Sequence, residues 1–185
     1  MPIDILLAIS RVESGRRQDD GFGPWPWTIN ADGVGRFYAT KAEAVAAAQS
    51  HLIDGTVTFD SGCFQLNYRY HGAAFTGFDD LFDPEQNAEY AAQFLLSLYE
   101  EKGSWADAVA AYHSRTPDLA QGYLNRVKAV LNGPPPSQTA PIDANPRSVI
   151  HHENTFPLLK AGAQGGYGSL VPLTSGRARL IGGNS

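Results

Sequence analysis

Three helix-boundary signals follow one another in the second half of this 185-residue chain, and they constrain its fold more than any other feature. Asp83-Pro84-Glu85-Gln86 sets an N-cap residue, a proline at the first helical position and an acidic first turn in sequence. The helix that follows is expected to run to Lys102 and stop at Gly103. Ser104-Trp105-Ala106-Asp107 opens a second helix, carrying Ala108, Val109 and Tyr112 inward, and Thr116-Pro117 opens a third that ends at Asn132-Gly133. The second half therefore reads as helical.

The first half is mixed. A helix is expected over residues 4 to 13, with Asp4 as N-cap and Ile5, Ile9 and Val12 on one face. Gly15 and Arg16-Arg17-Gln18-Asp19-Asp20 end it, and a Gly/Pro/Trp-rich segment, Gly23-Pro24-Trp25-Pro26-Trp27, follows. Thr28-Ile29-Asn30 and Gly35-Arg36-Phe37-Tyr38 flank Ala31-Asp32-Gly33, where Asp-Gly signals a hairpin turn. Thr40-Lys41-Ala42-Glu43 is a capping box opening an alanine-rich helix to about residue 53. Thr56-Val57-Thr58-Phe59 alternates like a short strand, and the rest of 54 to 83 is expected to be loop with one short helix.

Gly133-Pro134-Pro135-Pro136 marks a boundary. Residues 133 to 185 hold seven prolines and eight glycines, too many for regular elements. The division expected is a domain over 1–132 and a Pro/Gly-rich tail over 133–185. Apolar residues in the tail cluster at Phe156-Pro157-Leu158-Leu159 and Leu170-Val171-Pro172-Leu173. Two readings stand for it: docking onto the domain or a partner, or a disordered extension.

Composition narrows the function classes. A net charge of −5 argues against nucleic acid, which needs a basic surface. The single cysteine, Cys63, excludes an internal disulfide and a multi-cysteine zinc site. The five histidines lack metal-ligand spacing, so neither a metal nor a cofactor is expected. No stretch approaches the roughly 18 apolar residues of a membrane span. Met1-Pro2-Ile3-Asp4 runs into the first helix with no basic segment before it, so a signal peptide is absent from this chain.

Glu13 closes the apolar run Ile9-Ser10-Arg11-Val12-Glu13-Ser14-Gly15. A carboxyl held against apolar packing has a raised pKa, stays protonated near neutral pH and can donate a proton to a leaving oxygen. Ser61-Gly62-Cys63-Phe64-Gln65-Leu66-Asn67 comes about fifty residues later, and Ala110-Ala111-Tyr112-His113 later still. Glu13-Ser14-Gly15, Gly62-Cys63-Phe64-Gln65 and Ala111-Tyr112-His113, with Tyr123 and Val127 downstream, resemble in order and spacing the lytic transglycosylases of the lysozyme-like superfamily. That family shows Glu-Ser on a helix, a Gly-Leu-Met-Gln segment and an Ala-Tyr-Asn segment before a helix with another tyrosine. The resemblance covers roughly residues 4 to 131.

The resemblance implies an α+β, mainly α, lysozyme-like domain with a small β-hairpin lobe, and it leaves the irregular C-terminal tail unexplained. It implies non-hydrolytic cleavage of the MurNAc–GlcNAc bond of peptidoglycan, with Glu13 as sole acid and then base. By the same resemblance Gln65 lines the groove, Asn67 takes the next position, and the Tyr112 hydroxyl points at the catalytic carboxylate. Ser14 either contacts substrate or caps the helix end, and Tyr123 belongs to core or groove. Trp25, Trp27, Tyr68 and Tyr70 either stack on sugars or pack the hairpin lobe.

Cys63-Phe64 stands where the family has Leu-Met, His113 where it has Asn, and Ser114-Arg115-Thr116 lacks the usual glycine. The helix that usually precedes the catalytic one is missing, which suggests trimming from a longer exported protein and hence the periplasm. Asp60 reads as a cap of the turn before Gly62 or as a second carboxylate. The latter would make the protein a lysozyme- or chitinase-like hydrolase. A further alternative is a wall-binding module without turnover. An apolar tail on such an enzyme suggests recruitment by a flagellar rod or secretion-system protein.

Overall fold

A computed structural model describes residues 1–19 and 21–133 of the protein. The tail readings, docking and extension alike, therefore lie outside the described residues. The architecture is α+β and mainly helical, as expected.

Helix α1 spans Ile3–Ser14. Its N-cap is Pro2, at φ −70°, and not Asp4, which lies inside the first turn. Proline's locked φ suits the entry to a helix, while Asp4 faces the positive end of the helix dipole. Two strands follow directly, β1 (Gly15–Gln18) and β2 (Gly21–Pro24), paired antiparallel with Gly15 opposite Pro24. The sequence showed only a helix stop and a Gly/Pro/Trp segment here, because neither strand carries the β-branched alternation that marks one.

The next hairpin forms where Asp-Gly announced it, from β3 (Thr28–Ala31) and β4 (Val34–Phe37). Asp32 at φ 51° and Gly33 at φ 76° supply the left-handed pair that such a two-residue turn needs. Helix α2 (Lys41–Ile53) begins at Thr40, whose side chain accepts a hydrogen bond from the Glu43 N–H. The Glu43 carboxylate reaches back to the Ala39 N–H at 2.9 Å, one residue beyond the usual capping-box partner.

Strand β5 is Phe59–Ser61, not 56–59. Pairing starts where β3 offers a partner, Ala31 opposite Phe59, and the Phe59 ring stacks on Tyr68 at 5.1 Å. A short β6 (Leu66–Asn67) completes a four-stranded sheet ordered β4-β3-β5-β6. The segment expected as loop with one helix also holds α3 (Tyr68–His71), a 3-10 turn (Gly72–Ala74) and α4 (Phe78–Leu81).

The three helices announced by their caps are α5 (Pro84–Lys102), α6 (Trp105–His113) and α7 (Pro117–Asn132). The Asp83 carboxylate accepts from the N–H groups of Glu85 and Gln86, and Ser104 accepts from the Asp107 N–H. Helix α6 packs against α5 and α7, and α7 packs on α1. Their apolar faces close one core, including Ile9, Phe94, Leu95, Leu98, Tyr112, Tyr123 and Val127. A smaller second core, Ile29, Ala44, Ala48, Phe59 and Phe82, lies between the sheet and α2.

Candidate active site

Glu13 occupies the penultimate position of α1, partly exposed, while Ser14 beside it is buried. The Ser14 hydroxyl lies 2.8 Å from the Cys63 carbonyl and 3.1 Å from that of Ser10, and it accepts from the Trp25 N–H at 3.3 Å. Ser14 thus ties the end of α1 to the turn containing Cys63 and to the chain leaving β2. Its polar capacity is spent on backbone groups.

The turn at 61–65 is held from the other side by α5. Gly62 is left-handed, at φ 79°, and a Cβ there would sit 2.5 Å from the Asn87 amide nitrogen. Asn87 accepts from the Phe64 N–H at 3.1 Å and donates to the Leu81 carbonyl at 3.0 Å. The Tyr112 hydroxyl donates to the Phe64 carbonyl at 3.1 Å. Gln65 follows at φ 47°, an uncommon conformation for a residue with a side chain. Its amide donates to the Gly62 carbonyl at 3.0 Å, so the side chain satisfies the backbone of its own turn.

Across the sheet, Asn30, Asp60 and Asn67 stand directly opposite one another on β3, β5 and β6. All three are buried. The Asn67 amide donates to the Asp60 carboxylate at 2.9 Å, while the Asn30 and Asn67 side-chain oxygens have no hydrogen-bond partner among the described residues. Asp60 is therefore a strand residue paired with Asn67, not a turn cap. Burial raises its pKa to about 7 against the pull of the Asn67 amide.

Glu13 is raised to about 7 as well, from 4.5. Burial of the carboxyl is the main cause, and the charge of Asp60 adds to it. The Tyr123 hydroxyl and the Arg126 cation oppose the rise. The side chain keeps one exposed edge while its carboxyl is enclosed by protein, which reconciles partial exposure with strong desolvation. The Tyr123 hydroxyl faces the carboxyl closely enough to favour its charged form, yet falls short of full hydrogen-bond geometry. Such contacts are often loose before substrate binds.

Tyr123 is fully buried, its ring stacked on His113 at 4.8 Å with the Arg126 guanidinium 5.3 Å from the ring centroid. Burial lowers His113 to about 4, so the residue replacing the family's Asn is a neutral plate behind Tyr123. Burial lifts the Cys63 thiol to about 11, which leaves it inert.

Glu13, Tyr123 and Tyr112 thus share one electrostatic neighbourhood, and the charge of Glu13 raises both tyrosines. Ser14 is tied to the Cys63 carbonyl, while Gln65 and Asn67 donate to the Gly62 carbonyl and the Asp60 carboxylate. Asn87 and Arg126 escaped sequence reasoning. Asn87 is a polar residue one turn before the apolar stripe Ala91, Phe94, Leu95, Leu98 on the same face of α5, and Arg126 lies one turn beyond Tyr123 on α7; both are signals a helical-face reading could have used. Among the described residues no group of three or more His, Cys, Asp or Glu is placed to hold a metal, and no helix is long and apolar enough to cross a membrane.

Glu13 thus ends α1 within electrostatic reach of tyrosines from two later helices, Tyr112 on α6 and Tyr123 on α7. The family model described as Transglycosylase SLT domain matches residues 42–126 of this chain. The chain is thus similar to the catalytic domains of lytic transglycosylases, as its motifs suggested, and the match supports peptidoglycan as the substrate class. The matched residues include the Gly62–Gln65 turn, Tyr112 and Tyr123 but begin after Glu13. No curated protein and no solved structure matches.

Proposed function

We propose that the protein is a lytic transglycosylase that cleaves the MurNAc–GlcNAc β-1,4 bond without water, using Glu13 as acid and then base. The observation that carries this reading is the enclosed Glu13 carboxyl at the end of α1, raised to about 7 by burial while Tyr123 and Arg126 favour its charged form. Protonated Glu13 donates to the glycosidic oxygen, and the bond from that oxygen to C1 breaks. The resulting carboxylate takes the proton of the muramic acid 6-hydroxyl, whose oxygen closes onto C1. The 1,6-anhydro ring forms, the proton on Glu13 is restored, and no co-reactant is consumed.

Tyr123 and Arg126 stabilise the carboxylate formed midway, so one residue can hold the proton in one half-reaction and release it in the other. Gln65, Asn67 and Tyr112 shape the turn and sheet edge against which the glycan lies, and Ser14 fixes the helix end. Glu13→Gln should keep the fold and reduce release of soluble fragments from purified peptidoglycan by about 10³-fold. Retained activity in that variant sinks the assignment.

A second reading is favoured by one observation, the charge of Asp60 felt at Glu13. A pair of carboxyls is what a glycoside hydrolase uses. Asp60→Asn separates the two. The transglycosylase reading expects a loss below about 10-fold, and the hydrolase reading one of 10² or more.

The same reading extends to setting. The peptidoglycan substrate supports a periplasmic location, and the apolar clusters at 156–159 and 170–173 support recruitment through residues 133–185. The partner class is a flagellar rod or secretion-system protein, with cleavage confined to the place of assembly. Deleting residues 133–185 should abolish capture of such a partner and spare glycan cleavage; unchanged capture removes this part of the proposal.

A further inference from the structure

Arg16 stands two residues past the end of the Glu13–Ser14 pair's helix turn, on β1, in an arrangement the catalytic chemistry does not use. Its guanidinium carbon lies 4.2 Å from the centroid of the Trp25 ring and 5.3 Å from that of Phe37. Stacking of this kind occupies the flat face of the guanidinium and leaves its N–H edge for a planar anion. Among the described residues Arg16 has no carboxylate within ion-pair distance. The residue is partly exposed, and Phe37 is exposed beside it.

The platform is also fastened to the site. The Trp25 N–H donates to the Ser14 backbone carbonyl at 3.0 Å and to the Ser14 hydroxyl, so the stacked ring hangs from the residue next to Glu13. The Trp25 indole N–H donates to the Tyr38 carbonyl at 2.7 Å, which fixes the ring plane against β4. Gly15 permits the tight exit from α1: a Cβ there would overlap the Arg11 carbonyl and the Phe22 ring. Arg17 and Arg36 lie nearby on β1 and β4, so three of the ten Lys/Arg residues in 1–132 gather in this lobe. The same stretch of sequence carries Asp19, Asp20 and Asp32, so the stacked geometry of Arg16, and not a surplus of positive charge, sets it apart.

We propose that Arg16, pre-oriented between Trp25 and Phe37, binds a carboxylate of the peptide stem carried by the glycan strand. This deepens the wall-glycan reading and rests on it. A planar carboxylate suits the bidentate edge of an arginine already held in place, because little side-chain freedom is lost on binding.

The test uses the full chain carrying Glu13→Gln, so that ligand is bound and not consumed. Calorimetry compares three soluble probes: a GlcNAc–MurNAc oligosaccharide with peptide stems, the same glycan with stems removed (which bears free lactyl carboxylates), and a chitin oligosaccharide with no carboxylate. Arg16→Gln should weaken binding of the stem-bearing probe about 10-fold and leave the chitin probe unchanged, which also reports that the lobe is folded. Arg16→Lys, which keeps the charge and loses the planar fork, should recover only part of the loss, and Arg17→Gln should change little. An equal loss on the chitin probe, a loss confined to the stripped glycan, no loss at all, or an equal loss from Arg17→Gln each overturns the proposal. A parent protein that binds none of the probes overturns the wall-glycan reading, and the role of Arg16 with it.

Discussion

The helical half and the β lobe of this domain meet at the two carboxyls, Glu13 and Asp60, and they are built on opposite terms. In the helical half, α5 and α6 are capped by side chains that accept the orphan N–H groups, and large apolar residues fill one continuous core. The lobe has a core of five buried apolar residues. A row of buried polar side chains crosses its sheet, and two of their oxygens lack a partner among the described residues. Buried polar groups left unsatisfied cost stability, so the row is a weak point of the lobe's packing. Glu13 grows out of the well-packed half and is desolvated by it; Asp60 lies in the polar row. One half supplies a continuous apolar core, while the other buries a polar row beside a smaller one.

The contrast can be broken most directly by truncating Phe94, fully buried between Tyr112 and His71. Phe94→Ala should cost about 3–5 kcal/mol in denaturant unfolding. A cost below about 1 kcal/mol would mean that the helical core is not the support described.

The next effect is on pH dependence. The folded-state pKa of Glu13, about 7, exceeds its unfolded value of 4.5, so the unfolded chain ionises first. Stability from this group is complete below pH 4.5 and is lost as pH rises toward and through 7. Glu13→Gln removes that loss, and the variant should be more stable than wild type at pH 8 by on the order of 2 kcal/mol, discounted for the exposed edge. Thermal unfolding at pH 4 and pH 8 checks it; equal stability of the two proteins at pH 8 would deny that the carboxyl is desolvated.

Tyr123→Phe sharpens the comparison at the site itself. The hydroxyl favours charged Glu13, so its removal should raise the pKa further and move the basic limb of the pH–activity profile upward. Activity at neutral pH should fall roughly 10-fold, since the carboxylate formed midway loses a donor. A downward shift would contradict the geometry. The smallest effect is expected at the lobe's edge: Thr40→Ala should cost about 1 kcal/mol through the lost cap of α2 and leave activity unchanged.

What was legible in the sequence follows the same division. The caps of α2, α5 and α6 and the Asp32–Gly33 turn are local, and each lies where its residues announced it. Strands β1 and β2 were hidden because Gly15–Gln18 and Gly21–Pro24 have no strand-like alternation and depend on the exit from α1. Residues 56–59 alternate convincingly, yet β5 begins only at Phe59, where pairing with β3 and the stack on Tyr68 set the register. At the site, Glu13 stood out as a carboxylate ending an apolar run. Asn87 and Arg126 are visible on their helix faces, but the groups they act on, the Phe64 N–H and the Glu13 carboxyl, are distant in sequence, and no local pattern names them.

The most direct test of the central claim is the mass of the products released from purified peptidoglycan by the wild-type protein. A sole acid/base at Glu13 predicts fragments one water lighter than hydrolytic ones, ending in 1,6-anhydro rings and absent with Glu13→Gln. Fragments with free reducing ends would contradict it and transfer the chemistry to a hydrolase in which Asp60 takes part.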